Sequence, residues 1–141
     1  MKILFICKWN RFRSKFAEIY FNQIKNDKKI RAKSVGILEV NIPLKKSEIE
    51  RNKFIKEKFG IILNEKSKGI NVKDLDEADK IIVIADDIPL SILKSKKRGE
   101  DKLIIWKIKD GNMPNKEDVK KIVISIKGKV EDLIKKLEKK K

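Results

Sequence analysis

Four short apolar runs, each followed by a stretch of different period, constrain the fold of this chain more than any other feature. Residues 2–6 (KILFI), 30–37 (IRAKSVGI), 79–85 (DKIIVIA) and 103–108 (LIIWKI) read as strands. The first and third are continuous enough to be buried on both faces. Between them the period changes. From Ser14 onward, Phe16, Ala17, Tyr20, Phe21 and Ile24 recur at helical spacing, and residues 46–58 suggest a polar helix around Ile49, Phe54 and Ile55. A last helix, starting near Asn115, puts Val119, Ile122, Val123, Ile126, Val130, Leu133, Ile134 and Leu137 on one face. Strands alternating with helices predict an α/β fold: one domain over 1–141, with a four-stranded parallel sheet flanked by helices. Residues 59–77, interrupted by Gly60 and Gly69, fit no single pattern. Residues 89–93 suggest a short helix and 94–101 a solvated loop, and the lysine-rich end of the last helix is expected to fray.

Charge narrows the function classes. Charged residues make up 41% of the chain, and 37 Lys+Arg against 21 Asp+Glu leave a net charge of +16. Such a field favours anionic ligands. The basic residues are spread along the chain and no aromatic–basic signature accompanies them, so nucleic acid is not the expected partner. One cysteine cannot form an internal disulfide, which suits a reducing cytoplasm. The opening MKILFIC has too short an apolar stretch for a secretory signal, and no run reaches the ~18 apolar residues of a membrane span. The absence of histidine excludes His-based triads and most zinc sites.

That cysteine, Cys7, directly follows the first strand, and the loop 8–13 leads from it into a helix. In parallel α/β sheets ligands collect at the carboxyl ends of strands. Backbone N–H groups and the helix dipole make such a junction an anion site, and the same field stabilises a thiolate. Arg13 adds a planar fork suited to two phosphoryl oxygens. Together these parts predict nucleophilic phosphoryl transfer, with a phosphocysteine that water then hydrolyses. The loop residues Lys8, Trp9, Asn10, Arg11 and Phe12, with Ser14, are the candidate substrate-binding set. Lys8 and Arg11 either extend the anion field or are solvated charges, and Trp9 is expected at the pocket rim.

The stretch ILFICKWNRFRSKFAE resembles the opening of the low-molecular-weight protein tyrosine phosphatases, whose loop reads C-x-G-N-x-x-R-S followed by A-E. Cys7, Asn10, Arg13, Ser14, Ala17 and Glu18 fall in register. Weaker likeness continues through AKSVG (32–36), LDEADKIIVI (75–84), IIWKIKDG (104–111) and EDVKKI (117–122). The resemblance implies cofactor-free and metal-free hydrolysis of phosphate monoesters, typically protein phosphotyrosine. By analogy Cys7 is the nucleophile and Arg13 binds the phosphoryl oxygens. Ser14 donates to the sulfur, Asn10 holds the loop's backbone shape, and Asp110 is general acid and then base.

The chain departs from that pattern in several places. Trp9 stands where the loop glycine is usual, and Asp110-Gly111 replaces an Asp-Pro pair. Asn112-Met113 replaces an aromatic pair, and Val40 occupies the place of an aromatic substrate wall. Phe12 stands where some relatives carry a second loop cysteine. Other readings stay open at this point. Cys7 as a buried structural thiol, Arg13 as a salt-bridge residue, Ser14 as a helix cap and Asp110 as a turn residue are the structural ones. The functional alternatives are an arsenate reductase using an external thiol and a phosphate- or phosphoprotein-binding relic of the same fold. Substrate identity and oligomeric state are not encoded legibly.

Overall fold

In the computed structural model, residues 1–89, 91, 93, 102–111 and 113–139 are described. The elements run β1 (Lys2–Cys7), α1 (Arg13–Ile24), β2 (Arg31–Gly36), α2 (Lys46–Phe59), α3 (Val72–Glu77), β3 (Lys80–Ile84), β4 (Leu103–Trp106) and α4 (Lys116–Lys139). The strands form one parallel sheet in the order β2-β1-β3-β4. The expected fold class therefore holds, and β1 lies in the interior of the sheet with Cys7 at its carboxyl end. The expected short helix at 89–93 and the loop at 94–101 fall largely on residues outside the described ones.

Strand alternation divides the core in two. Ile3 and Phe5 of β1 point to one side with Ile82 and Ile84, and meet Phe16, Ala17 and Phe21 of α1, Ile55 of α2 and the inner face of α4. Leu4 and Ile6 point to the other side with Ile81 and Val83, and meet Val35, Leu75 and Leu93. The eight apolar residues expected on the inner face of α4 are the eight that it buries. At roughly 1.5–3 kcal/mol for each fully buried aliphatic side chain, this helix supplies a large share of the packing.

Three strands are shorter than their apolar runs suggest, whereas β1 runs one residue further, through Cys7. β4 stops at Trp106, because the chain beyond it turns toward the sheet edge where the Ile108 carbonyl accepts from Arg13. The undecided stretch 59–77 contains α3, capped by Asn71, whose side chain accepts from the Asp74 N–H at 2.8 Å. Gly60 closes α2 at φ +72°, the left-handed geometry of a helix C-terminus. Within α2 the buried face is Glu48, Arg51 and Ile55, whereas Ile49 is exposed. An apolar reading of this helix therefore finds only part of its inner face, and the other part is charged.

Candidate active site

The segment 8–12 joins β1 to α1 across the carboxyl edge of the sheet. Four of its five carbonyls are held by hydrogen bonds. Lys8 O accepts from Leu38 N (3.0 Å) and Trp9 O from the Ser67 hydroxyl (2.8 Å). Arg11 O accepts from the Arg51 guanidinium (3.2 Å), and Phe12 O from Phe16 N (2.8 Å). A loop held by outward carbonyls turns amides inward, the arrangement that cradles anions. One such amide, Asn10 N, donates to Cys7 Sγ at 3.3 Å.

Asn10 has φ +54°, which Asn tolerates better than most side chains, and is fully buried. Its side-chain nitrogen donates to the hydroxyls of Ser14 (2.9 Å) and Ser34 (3.0 Å), while its oxygen accepts from Lys68 N (2.9 Å). The strained residue is thereby fixed from three sides. Gly36, opposite Cys7 in the β1–β2 register, makes the arrangement possible. A Cβ on Gly36 would lie 2.8 Å from both Asn10 N and the Trp9 carbonyl carbon.

Cys7 is buried, and its sulfur lies 3.0 Å from the Ser14 hydroxyl. Helix α1 starts at Arg13, and Phe12 at its N-cap provides no side-chain hydrogen bond, so Ser14 sits inside the first turn rather than capping it. Arg13 is buried too. Its Nη1 donates to Ile108 O at 2.9 Å and lies 3.6 Å from Asp87 Oδ1, while its Nε lies 3.8 Å from Asp110 Oδ1. Asp110 also accepts from Gly111 N at 3.0 Å. The loop after β4 thus brings Asp110 to the same edge of the sheet as Cys7.

These groups open on a cavity of about 190 Å³. Cys7, Phe12, Arg13 and Asp110 line it, with Trp9, Val40 and Ile42 as apolar wall and Arg11, Lys45, Glu48 and Arg51 as a charged one. Trp9 stands at its rim, 37% exposed, with Lys8 Nζ 5.2 Å from its ring centre. Lys8, Asn10 and Ser14 are not among the lining residues: Lys8 covers Trp9 from outside, and the other two lie beneath the loop. Phe12 packs into the core, with the Arg51 guanidinium 4.8 Å from its ring centre. Arg11 is no solvated charge. It is buried and ion-paired with Glu48 at 3.0 Å.

Arg51 and Glu48 are site residues that sequence reasoning missed. Burial pushes the Arg51 guanidinium below its ordinary value, opposed by the charges of Asp110, Glu48 and Cys7. The nearest sequence signal is the i, i+3, i+7 spacing of Glu48, Arg51 and Ile55, which marks a helix face only if charged residues are allowed on it.

A family model described as low molecular weight phosphotyrosine protein phosphatase matches residues 2–141. No curated protein matches the sequence. Among solved structures, the low molecular weight protein tyrosine phosphatase of T. tengcongensis superposes with a TM-score of 0.76 at 25% identity, covering 96% of this chain and 99% of that one. The YwlE arginine phosphatase of Geobacillus stearothermophilus gives 0.77 at 18% identity, over 99% and 94% of the two chains. An arsenate reductase of Archaeoglobus fulgidus gives 0.69 at 20% identity, over 94% and 98%.

Proposed function

This chain belongs to the low molecular weight phosphotyrosine protein phosphatase family, and from that premise we propose that it hydrolyses phosphate monoesters, protein phosphotyrosine among them, through a phosphocysteine. The observation that carries the reading is the position of one sulfur. Cys7 Sγ is within reach of the Ser14 hydroxyl and the Asn10 amide, in a cavity that Arg13 and Asp110 also line.

In the first step the Cys7 thiolate attacks phosphorus and the ester P–O bond breaks. The departing oxygen takes a proton from Asp110. Arg13 and the loop amides hold the non-bridging oxygens, whose charge they offset most strongly at the transition state. In the second step water attacks phosphorus, the Asp110 carboxylate takes a proton from that water, and the S–P bond breaks. The Ser14 hydroxyl, 3.0 Å from the sulfur, donates to the thiolate as it leaves. Asp110 and Asp87 beside Arg13 supply anionic partners for the guanidinium before substrate arrives.

The test is turnover of an aryl phosphate and of a phosphotyrosine peptide, with acid quenching to trap the covalent phosphoenzyme. Wild type should turn over both, Cys7→Ser neither, and phosphate should map to Cys7. Arg13→Lys should bind phosphate much more weakly, since a point charge cannot replace the two-pronged contact. Thiol-dependent arsenate reduction without ester hydrolysis would replace this reading with that of a reductase. Phosphate binding without either activity would leave a binding protein.

A further inference from the structure

The reading above leaves the charged wall of the cavity without a task. Arg11, Lys45 and Arg51 share that wall with one carboxylate, Glu48, and Asp110, which also lines the cavity, acts on Arg51 as well. Arg11 is only 6% exposed. Its Nη1 reaches both Glu48 oxygens, at 3.0 and 3.3 Å, and its Nη2 donates to the Ile42 carbonyl. Its Nε has no acceptor among the described residues. Glu48 is also engaged by the Lys45 main-chain N–H at 3.0 Å. Arg51 is anchored from the other side, donating to Arg11 O at 3.2 Å.

We infer that this wall is a second anion subsite, and that the substrate is a phosphate monoester bearing a further anionic group, a carboxylate or a second phosphate. A buried donor without an acceptor is unfavourable, and a substrate oxygen beside Arg11 supplies the acceptor. Guanidinium groups suit carboxylate and phosphate oxygens alike. Lys45, exposed and lining the same cavity, adds a second cation. Glu48 repels an anion from the Nη1 edge of Arg11, so the second anion is received away from that edge, with Lys45 of the same cavity lining as the other cation. Val40, Ile42 and Trp9 supply apolar surface for the carbon skeleton between the two anionic groups.

The inference rests on the phosphoryl-binding half of the proposed function, and a binding experiment separates the two. Calorimetric titration of the full chain would compare phenylphosphonate with meta-carboxyphenylphosphonate, neither of which has an ester to lose. The carboxylated ligand should bind about tenfold tighter, as one charge-assisted hydrogen bond allows. Lys45→Met should reduce that preference, and Arg11→Met combined with Glu48→Gln should abolish it. Lys45→Met, at an exposed position, keeps the test decisive should the double variant not fold. A second arm uses a peptide carrying a phosphonate analogue of phosphotyrosine, with a neighbouring Asp or Asn. A gain with Asp assigns the second anion to an acidic peptide, and a gain confined to the carboxyphenyl ligand assigns it to a small molecule. No gain in either arm overturns the subsite, as does a preference unchanged in the variants. If phenylphosphonate itself fails to bind, the proposed phosphoryl site fails and takes the subsite with it.

Discussion

Gly36 passes so close beneath Asn10 that a methyl group on its α-carbon would lie 2.8 Å from the Asn10 nitrogen. The contact is with backbone on both sides, so no side-chain rotation can relieve it. Gly36→Ala should therefore lift the loop off the end of β2. Overpacking of this kind costs about 1–3 kcal/mol. A displacement near 1 Å at the reacting atoms costs on the order of 10²-fold in rate. Urea unfolding and aryl phosphate kinetics on the same variant should show both losses. Wild-type kinetics in Gly36→Ala would mean that the loop's position does not depend on this approach.

Ser14 offers a subtler test, because its hydroxyl can act on one step only. It lies 3.0 Å from Cys7 Sγ and accepts from the Asn10 amide at 2.9 Å. In Ser14→Ala, Asn10 keeps its contacts to Ser34 and Lys68, so the loop should survive. Breakdown of the phosphocysteine should slow roughly 10–150-fold, the worth of one hydrogen bond to a charged group. Stopped-flow assays should then show a burst of released phenol followed by slow turnover. Equal slowing of the burst and the steady state would argue that Ser14 serves the loop rather than the leaving sulfur.

Lys15 gives a prediction in pH. It is buried, its ammonium donating to Asn64 Oδ1 at 2.7 Å. Burial lowers its pKa below the ordinary 10.5, with Glu18 opposing, Lys68 adding to the fall and Cys7 opposing. Between the folded value and 10.5 the unfolded chain binds more protons, so stability contributed at this site rises with pH in that window. Below the folded value the ammonium is charged in both states and the burial penalty is present in full. Wild type should therefore gain stability relative to Lys15→Met on going from pH 7 to pH 10. Urea midpoints of the two proteins at both pH values measure it, and a constant difference would remove Lys15 from the account.

How much of this was legible in the sequence follows from what each element buries. β1 and β3 announce themselves because both faces are covered, and α4 because its inner face is apolar throughout. The six-residue α3 buries Leu75 alone, so only its Asn71 cap could have revealed it. Cys7, Arg13 and Ser14 were readable because local order brings them together within two turns of chain. The ion pair of Arg11 with Glu48 spans 37 positions, and the bond from Arg51 to Arg11 spans 40. Nothing local distinguishes those charges from the many solvated ones around them. Only the fold pairs them.

Asp110 carries the last prediction, since a departing phenolate or alkoxide needs a proton and the chain has no histidine to give one. Its carboxylate lies 3.8 Å from Arg13 Nε and accepts from Gly111 N at 3.0 Å. If it is the general acid, Asp110→Asn should lose about 10²–10⁴-fold with a poor leaving group. The loss should shrink with a strongly acidic phenol, which departs unaided. Gly111 tests how the acid is aimed. The resemblance leads one to expect proline there, but a Cβ at Gly111 would meet Ile122 Cδ1 at 2.5 Å, and proline would also remove the N–H that Asp110 accepts from. Gly111→Pro should therefore lower stability and misdirect the acid, with the larger rate loss on the poor leaving group. Ile122→Val in the same chain should recover stability by making room, yet leave the rate low because the N–H is still missing. Equal losses for good and poor leaving groups in Asp110→Asn would argue for a structural role, and Asp87, 3.6 Å from Arg13 Nη1, would be the next acid to test.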